Sequence, residues 1–149
     1  MGTHSRAAPE PKGHPMRPLL LASALTACAA TADAAPFTLL IYETPEDLAL
    51  RTDATDKGAA YWGAYAAIGK EMSAAGVLKG GSALVTGQVT TVSGTGPAAS
   101  AFATSPLALG GYFQIDVADE AAAIVWARKI PAAATGAVEV RTGYAVPGM

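Results

Sequence analysis

From Pro36 onward, apolar and polar residues alternate in three separate stretches. In "PFTLLIY", Pro36 to Tyr42, the residues Phe37, Leu39 and Ile41 fall on one side of an extended chain. Phe113, Ile115 and Val117 do the same in "GYFQIDV", as do Val138 and Val140 in "GAVEVRT". A period of two predicts strands with these residues as the core face. The opposite face carries Tyr42, Tyr112, Gln114, Asp116, Glu139 and Arg141, polar and aromatic on what should be central strands. Between the first two stretches the period lengthens. Tyr61, Tyr65, Ile68 and Met72 form one stripe of a helix over Ala59 to Ala75, which Gly76 ends.

"ADEAAAIVWARKI" predicts a second helix, with Asp119 and Glu120 in its first turn and Arg128 and Lys129 in its last, as the helix dipole favours. Pro131 should stop it. "ETPEDLALRTDATDKG" reads as a turn and a short helix, with Glu43 and Glu46 flanking a loop. The Gly/Ser/Thr/Ala-rich run from Val77 to Ala108 contains "GQVTTVS" and "ASAFAT", two short strands joined near "GTGP". The predicted order is β-α-β-β-β-α-β. That is an α+β, ferredoxin-like pattern with an extra strand in the central hairpin region, five strands with the helices on one face.

Gly110 and Gly111 stand at the start of the second alternating stretch. A phosphate cradle needs glycine-rich backbone leading into a helix N-terminus, and here the glycines lead into a strand. Backbone bending or a close approach at a sheet edge is the expected role.

Upstream, "MRPLLLASALTACAATADAAPF" opens on Met16 and Arg17, continues through an apolar run, and reaches Ala32-Asp33-Ala34. This predicts a secretory signal peptide over residues 1–34, against the alternative of a buried core helix. Met1 to Pro15 would be an extended n-region or an early start for which Met16 serves better. "LTAC" also resembles a lipobox ending at Cys28, which gives two routes: cleavage after Ala34, or lipidation of Cys28. The folded domain is then 35–149, exported to the periplasm or medium, or held on a membrane by a lipid anchor alone.

Composition sharpens the chemistry. Hydrophobic residues are 51% and charged residues 15% of 149, which fits one folded domain. A net charge of -2, without any run of Lys and Arg, offers no footprint for nucleic acid. His4, His14 and Cys28 are the only His and Cys residues, and all precede residue 34. The chain after Ala34 therefore supplies no disulfide, no His or Cys metal ligand, no thiolate and no Ser-His-Asp triad. No metal site and no cofactor are expected.

"FTLLIYE", "AAGVLKGGSAL", "LGGYFQIDV" and "WARKIPAAATGAVEVR" together resemble YCII-related proteins, especially the branch named for Asp-Gly-Pro-Phe. The similarity runs from about Phe37 to Arg141. It implies a ferredoxin-like, dimeric α/β-barrel fold. The namesake motif falls on Ala99-Ser100-Ala101-Phe102, keeping only the Phe. Catalytic members of the wider family resemble dehydrochlorinases and isomerases of ring compounds built on a His-Asp pair, and no His is available here to take that part. Cytoplasmic members of the branch often accompany sigma factors, which an exported chain fits poorly.

Three functions follow as expectations. The first is a dimeric small-molecule-binding module, whose small organic ligand would meet Tyr42, Tyr61, Trp62, Tyr65, Tyr112 and Gln114, amphipathic side chains with polar tips. The second is an isomerase or lyase-type enzyme moving a proton on a ring compound through Asp116 or Glu139, with Arg141 stabilising an anion. The third is a structural homodimer without a ligand, in which the same polar face is only an interface.

Overall fold

A computed structural model describes residues 1–2, 34–94, 96–98 and 105–144. Every element below lies in the unit spanning 31–149. Residues 3–33 of the expected signal segment, Cys28 among them, "ASAFAT" and the stretch aligned with the Asp-Gly-Pro-Phe motif lie outside the described residues.

The first strand, β1, is Ala35–Glu43. Thr44 then caps a one-turn helix, α1 (Pro45–Ala49): its hydroxyl accepts from the Asp47 amide at 3.1 Å, and Pro45 takes the first helical position, where its missing N–H costs nothing. A 3-10 turn over Leu50–Thr52 follows. The long helix α2 is Asp56–Ala74, three residues longer at its start than the apolar stripe alone indicates. Its stripe turns inward as expected, with Ile68 and Met72 buried and Tyr61 and Tyr65 half-buried. Gly76 takes φ +72° after it, the left-handed conformation that ends many helices.

Four strands form the antiparallel sheet in the order β2-β5-β1-β6, where β2 is Leu78–Ala83, β5 Ala108–Val117 and β6 Ala137–Thr142. This is α+β architecture compatible with a ferredoxin-like fold. Among the described residues this corrects the expected five-stranded sheet to four strands. "LKGGSA" pairs with β5 as an edge strand, although its Gly, Ser and Lys carry no strand signature. "GQVTTVS" contributes only β3 (Thr91–Ser93), which pairs with β4 (Gly96–Ala98) as a separate two-stranded ribbon.

Phe37, Leu39, Ile41, Ile115 and Val117 are buried against Ile68 and Met72 of α2, with Ala123 and Ala127 of α3 (Glu120–Ala127). Each large side chain among them contributes roughly 1.5–3 kcal/mol of transfer free energy. Phe113, Val138 and Val140 pack at the margin of this core. Asp119 caps α3, its Oδ1 accepting from the Ala122 amide at 2.8 Å. That helix ends before Pro131, and the proline instead starts α4 (Ala132–Thr135). The opposite sheet face has Gln114 and Arg141 exposed and Tyr42, Tyr112, Asp116 and Glu139 half-buried.

Register is regular along β1 and β5 until Ile41 pairs with Gly111 and Tyr42 with Leu109. Gly110 is the extra residue of a bulge. It lies on β5, an interior strand, so the sheet-edge placement expected for the two glycines is corrected, while the bend and the close approach are both present.

Two glycines of the α2 region should respond oppositely to alanine. Gly63, in the helix with nothing within 4 Å of an added Cβ, should gain about 0.5–1 kcal/mol as Gly63→Ala. Gly76→Ala should lose about 1 kcal/mol, because an L residue disfavours its φ of +72°. Urea denaturation reads both signs.

Candidate functional site

Glu43 continues the inward-facing positions 37, 39 and 41 by one more step of two, and its side chain is 1% exposed. A carboxylate removed from water needs partners that recover several kcal/mol of lost hydration. Three segments supply them. The turn through α1 and the 3-10 helix returns Arg51, whose Nη2 ion-pairs with Glu43 Oε2. From α2, Tyr61 and Tyr65, one turn apart on the same helix face, donate their hydroxyl protons to Oε1 at 2.6 and 2.8 Å. From β5, Gly110 supplies space: a Cβ there would stand 1.9 Å from Glu43 Oε2 and 2.5 Å from Arg51 Nη2.

Arg51 is itself clamped. Its Nε donates to the Tyr61 hydroxyl at 2.9 Å, Nη1 to the Leu84 carbonyl at 2.7 Å, and Nη2 to the Gly110 carbonyl at 2.7 Å. The Trp62 indole N–H donates to the Arg51 carbonyl at 3.2 Å, with its ring 5.8 Å from the guanidinium carbon. Tyr61 meets both Trp62 and Tyr65 at ring-centroid distances of 5.0 Å, a spacing at which tilted aromatic pairs attract. Burial, then the hydrogen bond to Glu43, pushes the Tyr61 phenol up to about 12. The same causes push Tyr65 well above the ordinary tyrosine range. Both remain proton donors at every physiological pH.

Over this cluster opens a cavity of about 430 Å³. Tyr61, Trp62, Tyr65 and Ala66 of α2 form one wall, and Gly81, Ser82 and Ala83 of β2 with Gly110 to Phe113 of β5 form the other. Ile41, Glu43 and Arg51 complete the lining. The volume exists because the chain places Gly, Ser and Ala on β2 and Ala66 on α2, where larger residues would fill it. Its size falls within the range of small-ligand pockets.

The sequence-predicted residues divide between the two sides of the sheet. Tyr61, Trp62 and Tyr65 line the cavity from α2; Tyr112 borders it from β5, although the strand alternation puts its side chain on the opposite face, and Tyr42 and Gln114 are not among the lining residues. Asp116, Glu139 and Arg141 are outside it too: Asp116 faces Lys79 at 3.5 Å and Glu139 pairs with Arg141. Tyr42 lies with them, its phenol raised by burial and then by the Glu139 charge. Glu43, expected at a loop, is instead the buried centre of the cluster, because the strand runs one residue past Tyr42. Glu46 stays exposed in the first turn of α1. Among the described residues no His, Cys, Asp and Glu group could hold a metal ion, and no helix is long and apolar enough to cross a membrane.

A family model described as YCII-related domain matches residues 35–143. No curated protein matches the chain significantly.

Two outcomes test this geometry. Gly110→Ala should lower stability by several kcal/mol, about the 3–5 kcal/mol of a broken buried pair, whereas Gly87→Ala, with nothing within 4 Å, should not. Calorimetry compares them. Tyr61 binds its proton more tightly folded than unfolded, so its contribution is complete below pH 10 and is lost as pH rises towards about 12. Tyr61→Phe should flatten that alkaline fall in Tm.

Proposed function

The chain belongs to the YCII-related domain family, and from that premise we propose that it is a small-molecule-binding domain whose ligand occupies the cavity over Glu43 and Arg51. The observation that carries this is the combination of about 430 Å³ of space with an aromatic wall and a fixed polar floor. Pockets that orient small molecules have that composition, and a purely structural domain gains nothing from leaving the space unfilled. Tyr61, Trp62 and Tyr65 supply the contact area, at low entropic cost because Tyr61 and Tyr65 are already held by Glu43 and Trp62 by the Arg51 carbonyl.

Binding is favoured over proton transfer by the same floor. Glu43 accepts from two phenols and a guanidinium, so its charge is neutralised and most of its acceptor capacity taken before any substrate arrives, which suits it to hold a ligand rather than to abstract a proton. An enzyme working through Asp116, Glu139 and Arg141 would use the other sheet face, away from the cavity. That open face, with Leu40, Tyr42 and Tyr112 half-buried, supports a homodimer formed by covering one sheet with a second copy. The leader pattern from Met16 to Ala34 supports export of the domain.

A thermal-shift screen of aromatic and lactone ring compounds is the direct test of the pocket. A ligand at about one hundred times its Kd adds about 2.7 kcal/mol, a rise in Tm of several degrees. Ala66→Trp, from an exposed position on the cavity wall, should fold normally and abolish that rise. Hits that shift the variant equally would refute binding at this cavity. Light scattering of residues 35–149 should report a dimer.

A further inference from the structure

The floor of the cavity restricts which molecules can sit on it. Among the described residues, Glu43 and Arg51 are the only charged ones of the lining, one of each sign and touching, so their charges cancel. The guanidinium has five N–H donors. Four of them go to the Tyr61 hydroxyl, the Leu84 and Gly110 carbonyls and the Glu43 carboxylate, which leaves one on Nη1. The carboxylate has about four acceptor sites. Three accept from Tyr61, Tyr65 and Arg51, which leaves one on Oε2. Both phenolic protons point at Glu43 and are unavailable to a ligand.

A ligand carboxylate would therefore find one N–H rather than the parallel pair that an arginine fork offers. It would also approach Glu43 about as closely as Arg51. Repulsion then offsets attraction, and the cost of removing the anion from water is left uncompensated. A cation meets the mirror-image problem. An uncharged group with an acceptor beside a donor meets neither penalty, since it can take the spare N–H and give a proton to the spare lone pair.

We infer, building on the binding reading above, that this cavity selects an uncharged planar ring compound bearing an adjacent hydrogen-bond acceptor and donor, such as a primary carboxamide, over the corresponding carboxylate. Selectivity comes from Glu43: it removes the anion attraction that Arg51 alone would provide. The aromatic wall fixes the ring, and the neutral floor reads the polar end.

The test uses matched probes on the full chain at pH 8, where the acids are ionised: benzamide against benzoate, and indole-3-acetamide against indole-3-acetate. Affinities come from titrations followed by ligand-observed NMR. Each amide should bind at least about tenfold more tightly than its acid, and neither amide should bind Ala66→Trp. Glu43→Gln leaves Arg51 as the only charge on the floor and should shift the acid-to-amide ratio at least about tenfold towards the acid. If that variant fails to fold, the wild-type ratio decides alone. Acids that bind as tightly as their amides, and do not bind Ala66→Trp, overturn the preference for a neutral ligand and leave the binding site standing. No binding by any probe, together with no hit in the ring-compound screen, overturns both.

Discussion

Burial of the Glu43 carboxylate at the end of β1 is the constraint from which the rest of this end of the domain follows. An acid that is 1% exposed can persist only if charge and hydrogen bonds replace its water shell. Arg51 must therefore come back to it, so the chain turns at once through the capped one-turn helix after Thr44. Two phenols must reach it, so α2 must lie across this end of the sheet. A side chain must be missing opposite it, so β5 carries a glycine and bulges there. One buried charge thus ties four segments together that would otherwise meet only through apolar contact.

The same constraint shapes the open space. The two phenols held by their hydroxyls line the cavity, and Trp62 is anchored beside them through the Arg51 carbonyl at 3.2 Å. These aromatic surfaces are organised before anything binds, which reduces the ordering cost of association. The polar pair beneath is equally fixed. The half of the cavity contributed by β2 is different in kind: Gly81, Ser82 and Ala83 belong to an edge strand with small exposed residues, and it limits shape more than it directs orientation.

Much of the fold was legible in the sequence because period and burial coincide. The alternation in β1 and β5 and the stripe on α2 were sufficient to place Phe37, Leu39, Ile41, Ile115, Ile68 and Met72 in the core. β2 was illegible for a physical reason: its pairing rests on backbone hydrogen bonds to β5, and "LKGGSA" carries no side-chain pattern that reports them. The site was half legible. Tyr61 and Tyr65 could be named from helical spacing, whereas Arg51 reaches Glu43 through a turn whose path no periodicity encodes. Glu43 itself left a signal, since it occupies the next inward position after Ile41. A charge on an inward position is a reason to look for its partners rather than to end the strand.

The overlap between Gly110 and Glu43 has a consequence for how such a sequence can drift. The acid and the empty position opposite it occupy one volume between them, with 1.9 Å separating a would-be Cβ from Oε2. Neither can be exchanged freely while the other stays: a side chain at 110 collides with the acid, and a small apolar residue at 43 leaves both a void and an unpaired guanidinium. Replacements at the two positions are therefore non-additive, and the order in which they occur matters. A lineage leaving this arrangement must first surrender the charge and then its counter-charge, and only afterwards fill the glycine. The two residues, 67 positions apart in the chain, are inherited in effect as a single character.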